Sequence, residues 1–216
     1  MDRQLMSLLE VMEPYFGKEG YVYRKKGCIF VRTNEADNVC GISVDLLKSS
    51  HPGRSKVALN AHIRIVDIES VYAKYNPYLT PGELKEHFTV NINCDNLFSD
   101  VALTAAVELE GNSTMVAAEK IWGAIYADVL PLLEKYCERD SLVRNLENPD
   151  PRERIVSDPM ARFSILISDA ALEDDQDRFR RYKDQFLSFF KKPHVQAYLP
   201  AIEGIAAGVE SEFFRS

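Results

Sequence analysis

The sequence predicts an α+β protein, an antiparallel sheet packed against helices and followed by an all-helical C-terminal extension. Three observations lead there. An amphipathic helical stripe opens the chain, period-two runs rich in β-branched and aromatic residues follow it, and the strand signal vanishes beyond Pro151. With 46% hydrophobic and 27% charged residues, the 216-residue chain has ordinary globular usage and enough apolar side chain to offset its ordering entropy.

Leu5, Leu8, Leu9, Met12, Tyr15 and Phe16 recur at spacings of three and four, which predicts a first helix buried on one side and ended by Gly17 and Gly20. From Tyr21 the period changes. Residues 28–32, 39–47 and 56–66 read as strands, joined by Lys26-Gly27, Asn34 to Asn38 and Ser49-Ser50-His51-Pro52-Gly53. Such short connections predict a meander of neighbouring antiparallel strands.

In the strand over 39–47 Ile42, Val44 and Leu46 alternate with Gly41, Ser43 and Asp45; in that over 56–66 Val57, Leu59, Ala61, Ile63 and Ile65 alternate with Ala58, Asn60, His62 and Arg64. One sheet face is therefore apolar and takes the first helix, and the other is polar. Asp67 is placed to cap a short helix to about Tyr75, and Thr80-Pro81-Gly82-Glu83 has the form of a second helix start. Residues 88–92 read as a further strand. Residues 100–110 fit a helix by their alanine content and the stop at Gly111-Asn112.

Ala118, Trp122, Ile125, Val129, Leu132, Leu133 and Tyr136 predict a long helix from Ser113 to about Glu138, with a kink or restart at Pro131. Asn148-Pro149-Asp150-Pro151 is the best linker in the chain. The expected organisation is an α+β domain over 1–147, a linker over 148–156 and a helical extension over 157–216. Three helices are expected in that extension. The first carries Met160, Phe163, Leu166, Ile167 and Ala170, the second Phe179, Tyr182, Phe186 and Phe189, and the third Tyr198, Ile202, Ile205, Val209 and Phe213.

The chemistry-bearing residues are sparse. Cys28, Cys40, Cys94 and Cys137 are irregularly spaced, with no CxxC pair, and read as free thiols rather than zinc ligands. No metal, cofactor or catalytic residue is expected, since no serine or cysteine sits in a nucleophile context and no glycine loop could cradle phosphate. The nearest polar constellation is Asp45, Asn60, His62 and Arg64, which strand pairing could gather on one sheet face as an acid–base or ligand site. A half-exposed strand needs alternating polar residues in any case.

A net charge of −7 disfavours nucleic acid as a partner, and Arg24-Lys25-Lys26 reads as a solvated turn. The acidic surface suits a basic protein partner, and the aromatic C-terminal helices offer a homo-oligomer contact. Met1-Asp2-Arg3 leads straight into a helical pattern, without a basic segment and apolar run, so the expectation is a soluble cytoplasmic protein without a membrane span.

Phe16-Gly17, Gly20-Tyr21, Lys26, Phe30-Val31-Arg32, the polar strand ending near Lys48-Ser49-Ser50, the strand Val57-Ala58-Leu59-Asn60-Ala61-His62-Ile63 and Leu130-Pro131-Leu132-Leu133 together resemble the bacterial domain-of-unknown-function family numbered 4304, over about residues 1–147. Some members of that family resemble immunity proteins encoded beside polymorphic toxins. The resemblance implies a noncatalytic protein-binding module, specifically an immunity-type inhibitor whose acidic surface covers a basic toxin or effector. The alternative is a small-molecule enzyme or ligand sensor using the polar sheet face around Asn60 and His62.

Overall fold

The computed structural model describes residues 2–48, 55–80, 88–94, 113–156 and 158–214. The expectations for residues 49–53, 81–87 and 100–112 lie outside the described residues. The chain forms an α+β fold with two compact units, each built from two stretches: 1–63 with 91–137, and 64–90 with 138–216. The grouping is thus discontinuous, where the sequence reading placed a single boundary at 148–156.

In the first unit, β1 (Val22–Arg24), β2 (Ile29–Thr33), β3 (Val39–Lys48), β4 (Ser55–Arg64) and β5 (Val90–Asn93) form one antiparallel sheet in sequential order, the expected meander. Register places Phe30 opposite Ile42 and Arg32 opposite Cys40, so Phe30, Ile42 and Cys40 belong to the buried side. Helix α1 (Arg3–Lys18) lays Leu5, Leu8, Leu9, Met12 and Phe16 against this layer. The Phe16 ring stacks on Phe30 with centroids 3.9 Å apart.

Both ends of α1 follow from local chemistry. Asp2 accepts a hydrogen bond from the Gln4 amide at 2.8 Å, a side-chain N-cap. At the other end the Tyr21 amide donates to Phe16 O and the Gly20 amide to Gly17 O, with Gly20 at φ 77°. This pair of bonds closes the helix on a left-handed residue, where glycine has no Cβ penalty. The β2–β3 turn is organised by Asn34, whose Oδ1 accepts from the Ala36 and Asn38 amides at 3.0 Å each.

Helix α3 (Ser113–Ala124) packs on α1, and its Trp122 meets the Phe16 ring edge-on at 5.0 Å. A π-helical turn at Ile125–Val129 then leads into α4 (Leu130–Tyr136). Pro131 at the start of α4 lacks an amide and would crowd the carbonyl of Ala127 in a regular helix, so the widened turn absorbs the kink expected there.

The second unit is helical. It contains α2 (Val66–Tyr72), α5 (Arg139–Glu147), α6 (Pro159–Leu172), α7 (Gln176–Phe190) and α8 (Leu199–Phe213). Asp67 does not cap α2, contrary to expectation. The N-cap position is Ile65, still extended at the end of β4, and Asp67 lies exposed in the first turn. Helix α6 is buried continuously from Phe163 to Ala171 because α2, α5, α7 and α8 all pack on it. On α7 the buried stripe is Phe179, Tyr182, Phe186 and Phe190, leaving Phe189 half-buried.

Ser164, Ser168 and Asp169 are buried within the apolar length of α6. Asp169 is balanced by two cations: Arg139 Nε of α5 donates to Oδ1 at 2.8 Å and Arg178 Nη2 of α7 donates to Oδ2 at 3.0 Å. A second buried carboxylate, Glu69, accepts from Thr89 Oγ1 at 3.2 Å and lies 3.5 Å from Arg64 Nε. Thr89 in turn accepts from the Ile65 amide, tying α2 to the chain entering β5.

Candidate functional sites on the sheet and the helical unit

The polar face of β3 and β4 carries the residues singled out from the sequence. Asp45 is exposed and Asn60 half-buried. Arg64 is committed to the ion pair with Glu69 in the second unit. His62 gathers partners the sequence did not specify: Ser43 Oγ of β3 lies 2.9 Å from Nε2 and Asn91 Oδ1 of β5 lies 2.6 Å from Nδ1. With the Asn91 carbonyl as acceptor, Nδ1 carries the proton and Nε2 accepts from the Ser43 hydroxyl.

Sheet register makes this row, because one side chain from each of three adjacent strands meets on the same face. Gly41 supports it from the side. A Cβ at 41 would lie 2.8 Å from Ile29 Cδ1 and 3.5 Å from His62 Cβ, so the missing side chain lets Ile29 cross β3 beside the histidine. Burial holds the His62 imidazole below its ordinary proton affinity, against the hydrogen bond to Asn91 and the charge of Asp45, which both raise it.

The row therefore presents a neutral imidazole as base to a serine hydroxyl, oriented by an amide. Acyl transfer also needs amide donors aimed at a developing oxyanion. Ser43 lies in β3, flanked on both sides by β2 and β4, where backbone amides are used in the ladder.

A second constellation lies wholly within the helical unit and was not found from the sequence. Residues 148–156, expected as a linker, are held in place by hydrogen bonds to and within the segment. Asp150 caps a 3-10 turn at Pro151–Glu153, and Asn145 Oδ1 accepts from the Ile155 amide at 2.9 Å. Its prolines wall a groove of about 590 Å³ against α7. Arg154, Arg162 and Lys192 line the groove, Phe186 and Phe189 are its aromatic surface, and no carboxylate is in the lining among the described residues.

These cations are anchored by main-chain carbonyls and rings. Arg154 Nε donates to Asn148 O at 2.6 Å and Arg162 Nε to Leu146 O at 2.8 Å, both at the C-terminal, partially negative end of α5. The Arg162 guanidinium lies 5.3 Å from the Phe186 centroid, and Lys192 Nζ lies 5.1 Å from that of Phe189. Burial, and then the charge of Arg154, lower the proton affinity of Arg162, while Tyr182 and Glu147 work in the opposite direction.

An adjoining recess of about 520 Å³ shares Arg154 and Arg162 and adds Arg181 and Glu147. That carboxylate is occupied by the Tyr182 hydroxyl and by Arg178 Nη2. No single sequence window carries the groove, since its cations sit at 154, 162 and 192 on three different segments. Among the described residues, no three His, Cys, Asp or Glu side chains are grouped to hold a metal ion. No described helix is long and apolar enough to cross a membrane.

No protein-family model matches the chain, and neither a curated protein nor a solved structure matches it.

Proposed function

We propose that the protein is a noncatalytic protein-binding module. The observation that carries this reading is the groove of the helical unit, where Arg154, Arg162 and Lys192 meet an aromatic surface with no carboxylate in the lining. Cationic heads with apolar flanks suit recognition of another molecule, and Ser188 in the lining has no histidine or carboxylate beside it there among the described residues. An immunity-type inhibitor remains the specific form implied by the resemblance, with the acidic remainder of a −7 chain facing a basic toxin.

The test is affinity purification of the tagged full chain from its native source, followed by mass spectrometry and size-exclusion of the purified pair. A stoichiometric protein that co-elutes one to one supports the reading. Recovery of the chain alone, across growth conditions, overturns it.

A second reading draws on the row Ser43–His62–Asn91, which supplies a base and a hydroxyl for small-molecule chemistry on the polar sheet face. Its test is labelling of the native protein by a fluorophosphonate probe. Labelling at Ser43 that is lost in His62→Gln would favour the enzyme reading, and an unlabelled Ser43 removes the hydrolytic form of it.

A further inference from the structure

We infer that the groove between the 148–156 segment and α7 is the docking site for an extended acidic segment of a protein partner. This rests on the binding-module reading above and gives it a contact surface. Charge complementarity selects the occupant: three cations line the groove without a carboxylate, in a chain whose net charge is −7. Arg162 spends its Nε on Leu146 O, and Glu147, the carboxylate of the adjoining recess, is itself taken up by the Tyr182 hydroxyl and Arg178 Nη2. The charge of Arg154 also disfavours that of Arg162, a repulsion that an anion in the groove would relieve.

The spacing fits a peptide better than a compact anion. Arg162 sits over Phe186 and Lys192 over Phe189, so cation-on-ring units recur three residues apart along α7, a rise of about 4.5 Å. Same-side residues of an extended chain are separated by about 6.5–7 Å, within reach of two long, flexible cationic side chains. Acidic residues at alternate positions would meet the two cations, and an apolar residue beside them would lie on the exposed part of Phe189. The groove of about 590 Å³ far exceeds the space a single phosphate occupies.

The experiment is fluorescence anisotropy with the full chain and a fluorescein-labelled short peptide in which glutamate alternates with leucine and proline. A matched peptide with lysine for glutamate is the control. The expected result is micromolar binding of the acidic peptide at low salt, weakened by salt, with no binding of the basic one. Lys192→Glu, which alters an exposed side chain while the Lys192 amide still closes the end of α7 on Phe189 O, should weaken binding about tenfold, while the neighbouring Lys191→Glu should leave it within about twofold. Arg162→Gln is the second variant, read only where circular dichroism shows native helicity.

Absence of binding, equal binding of both peptides, or an unaltered affinity in Lys192→Glu overturns the inference. So does displacement of the peptide by millimolar inorganic phosphate or by a single-stranded oligonucleotide, which would make the groove a small-anion or nucleic-acid site. Capture of a partner equally well by wild type and Lys192→Glu would sink the groove assignment and leave the binding reading standing. Capture of none by either would sink the reading itself.

Discussion

Gly208 of α8 lies against the ring of Tyr75, so that a Cβ at 208 would stand 2.7 Å from Tyr75 Cε1 and closer still to Cδ1. The close approach has an anchor, since the Tyr75 hydroxyl donates to Glu212 one turn farther along α8, and Lys74 Nζ lies 2.6 Å from the same carboxylate. Alanine ordinarily stabilises a helix interior by about 0.5–1 kcal/mol relative to glycine. At 208 the ring must move or the helix must lift away, and overpacking of this kind costs about 1–3 kcal/mol. Gly208→Ala should therefore destabilise, whereas Gly204→Ala, with nothing within 4 Å of its added Cβ, should stabilise. Urea unfolding followed at 222 nm gives both signs, and Tyr75→Ala should abolish the penalty at 208 if the ring is its cause.

Asp169 is the buried junction of α5, α6 and α7. Removing its carboxylate would leave Arg139 with the exposed Glu173 alone and Arg178 with Glu147 and Asp175, and would take away the one acceptor that the two cations share inside the helix packing. Asp169→Ala should cost about 1.5–3 kcal/mol, the range for losing hydrogen bonds between charged groups, since both arginines keep a second carboxylate. Glu173, which pairs with the same Arg139 but is 56% exposed, should cost about 0–1 kcal/mol when truncated. Guanidinium unfolding midpoints of the two variants decide it, and comparable losses would show that Asp169 is not the junction described.

The sheet was legible because its pattern is local. Ile42 and Val44 alternate with Ser43 and Asp45 within one strand, and β4 repeats the alternation, so the buried and polar faces could be read without knowing their neighbours. Helix α1 was legible for the same reason. The chemistry of the polar face was only half legible: His62 was singled out, but its partner Asn91 lies 29 residues away and joins it only through the position of β5. Asn91 could have been found as the one polar residue between Val90 and Ile92 in a predicted strand.

The groove and the burial of α6 were not legible. Arg154 and Arg162 look like ordinary surface residues until the turns around Pro149 and Pro151 bring them to the end of α5. Asp67 failed as a cap because the Ile65 amide is claimed by Thr89, which keeps Ile65 extended and starts the helix at Val66, a long-range bond with no local signature.

His62 should make stability fall on mild acidification. Its proton affinity is lowered in the fold, so near pH 6 the unfolded chain binds more protons than the folded one. The contribution is complete above the ordinary histidine value of about 6.5 and is lost as the pH falls through the folded value below it. The unfolding free energy of wild type should therefore drop more than that of His62→Gln between about pH 7.5 and 5.5. The difference between the two proteins removes the contribution of the other histidines. Parallel pH profiles would mean that the imidazole is not held neutral by the fold.

The four cysteines are free, and three of them, Cys40, Cys94 and Cys137, are buried. Cys40 is disfavoured chemically as well: a hydrogen bond with Cys137 and then burial push its thiol well above the ordinary range, and its Sγ also lies 3.8 Å from Leu133 O. Thiolate is the reactive form, so access disfavours attack at all three positions and ionisation disfavours it at Cys40 as well. Iodoacetamide treatment of the native chain followed by peptide mapping should modify Cys28 alone, and all four cysteines in denaturant. Modification of Cys40 or Cys137 at a rate close to that of Cys28 would mean that α4 lifts from β3 far more readily than its packing implies, because both thiols lie beneath that helix end.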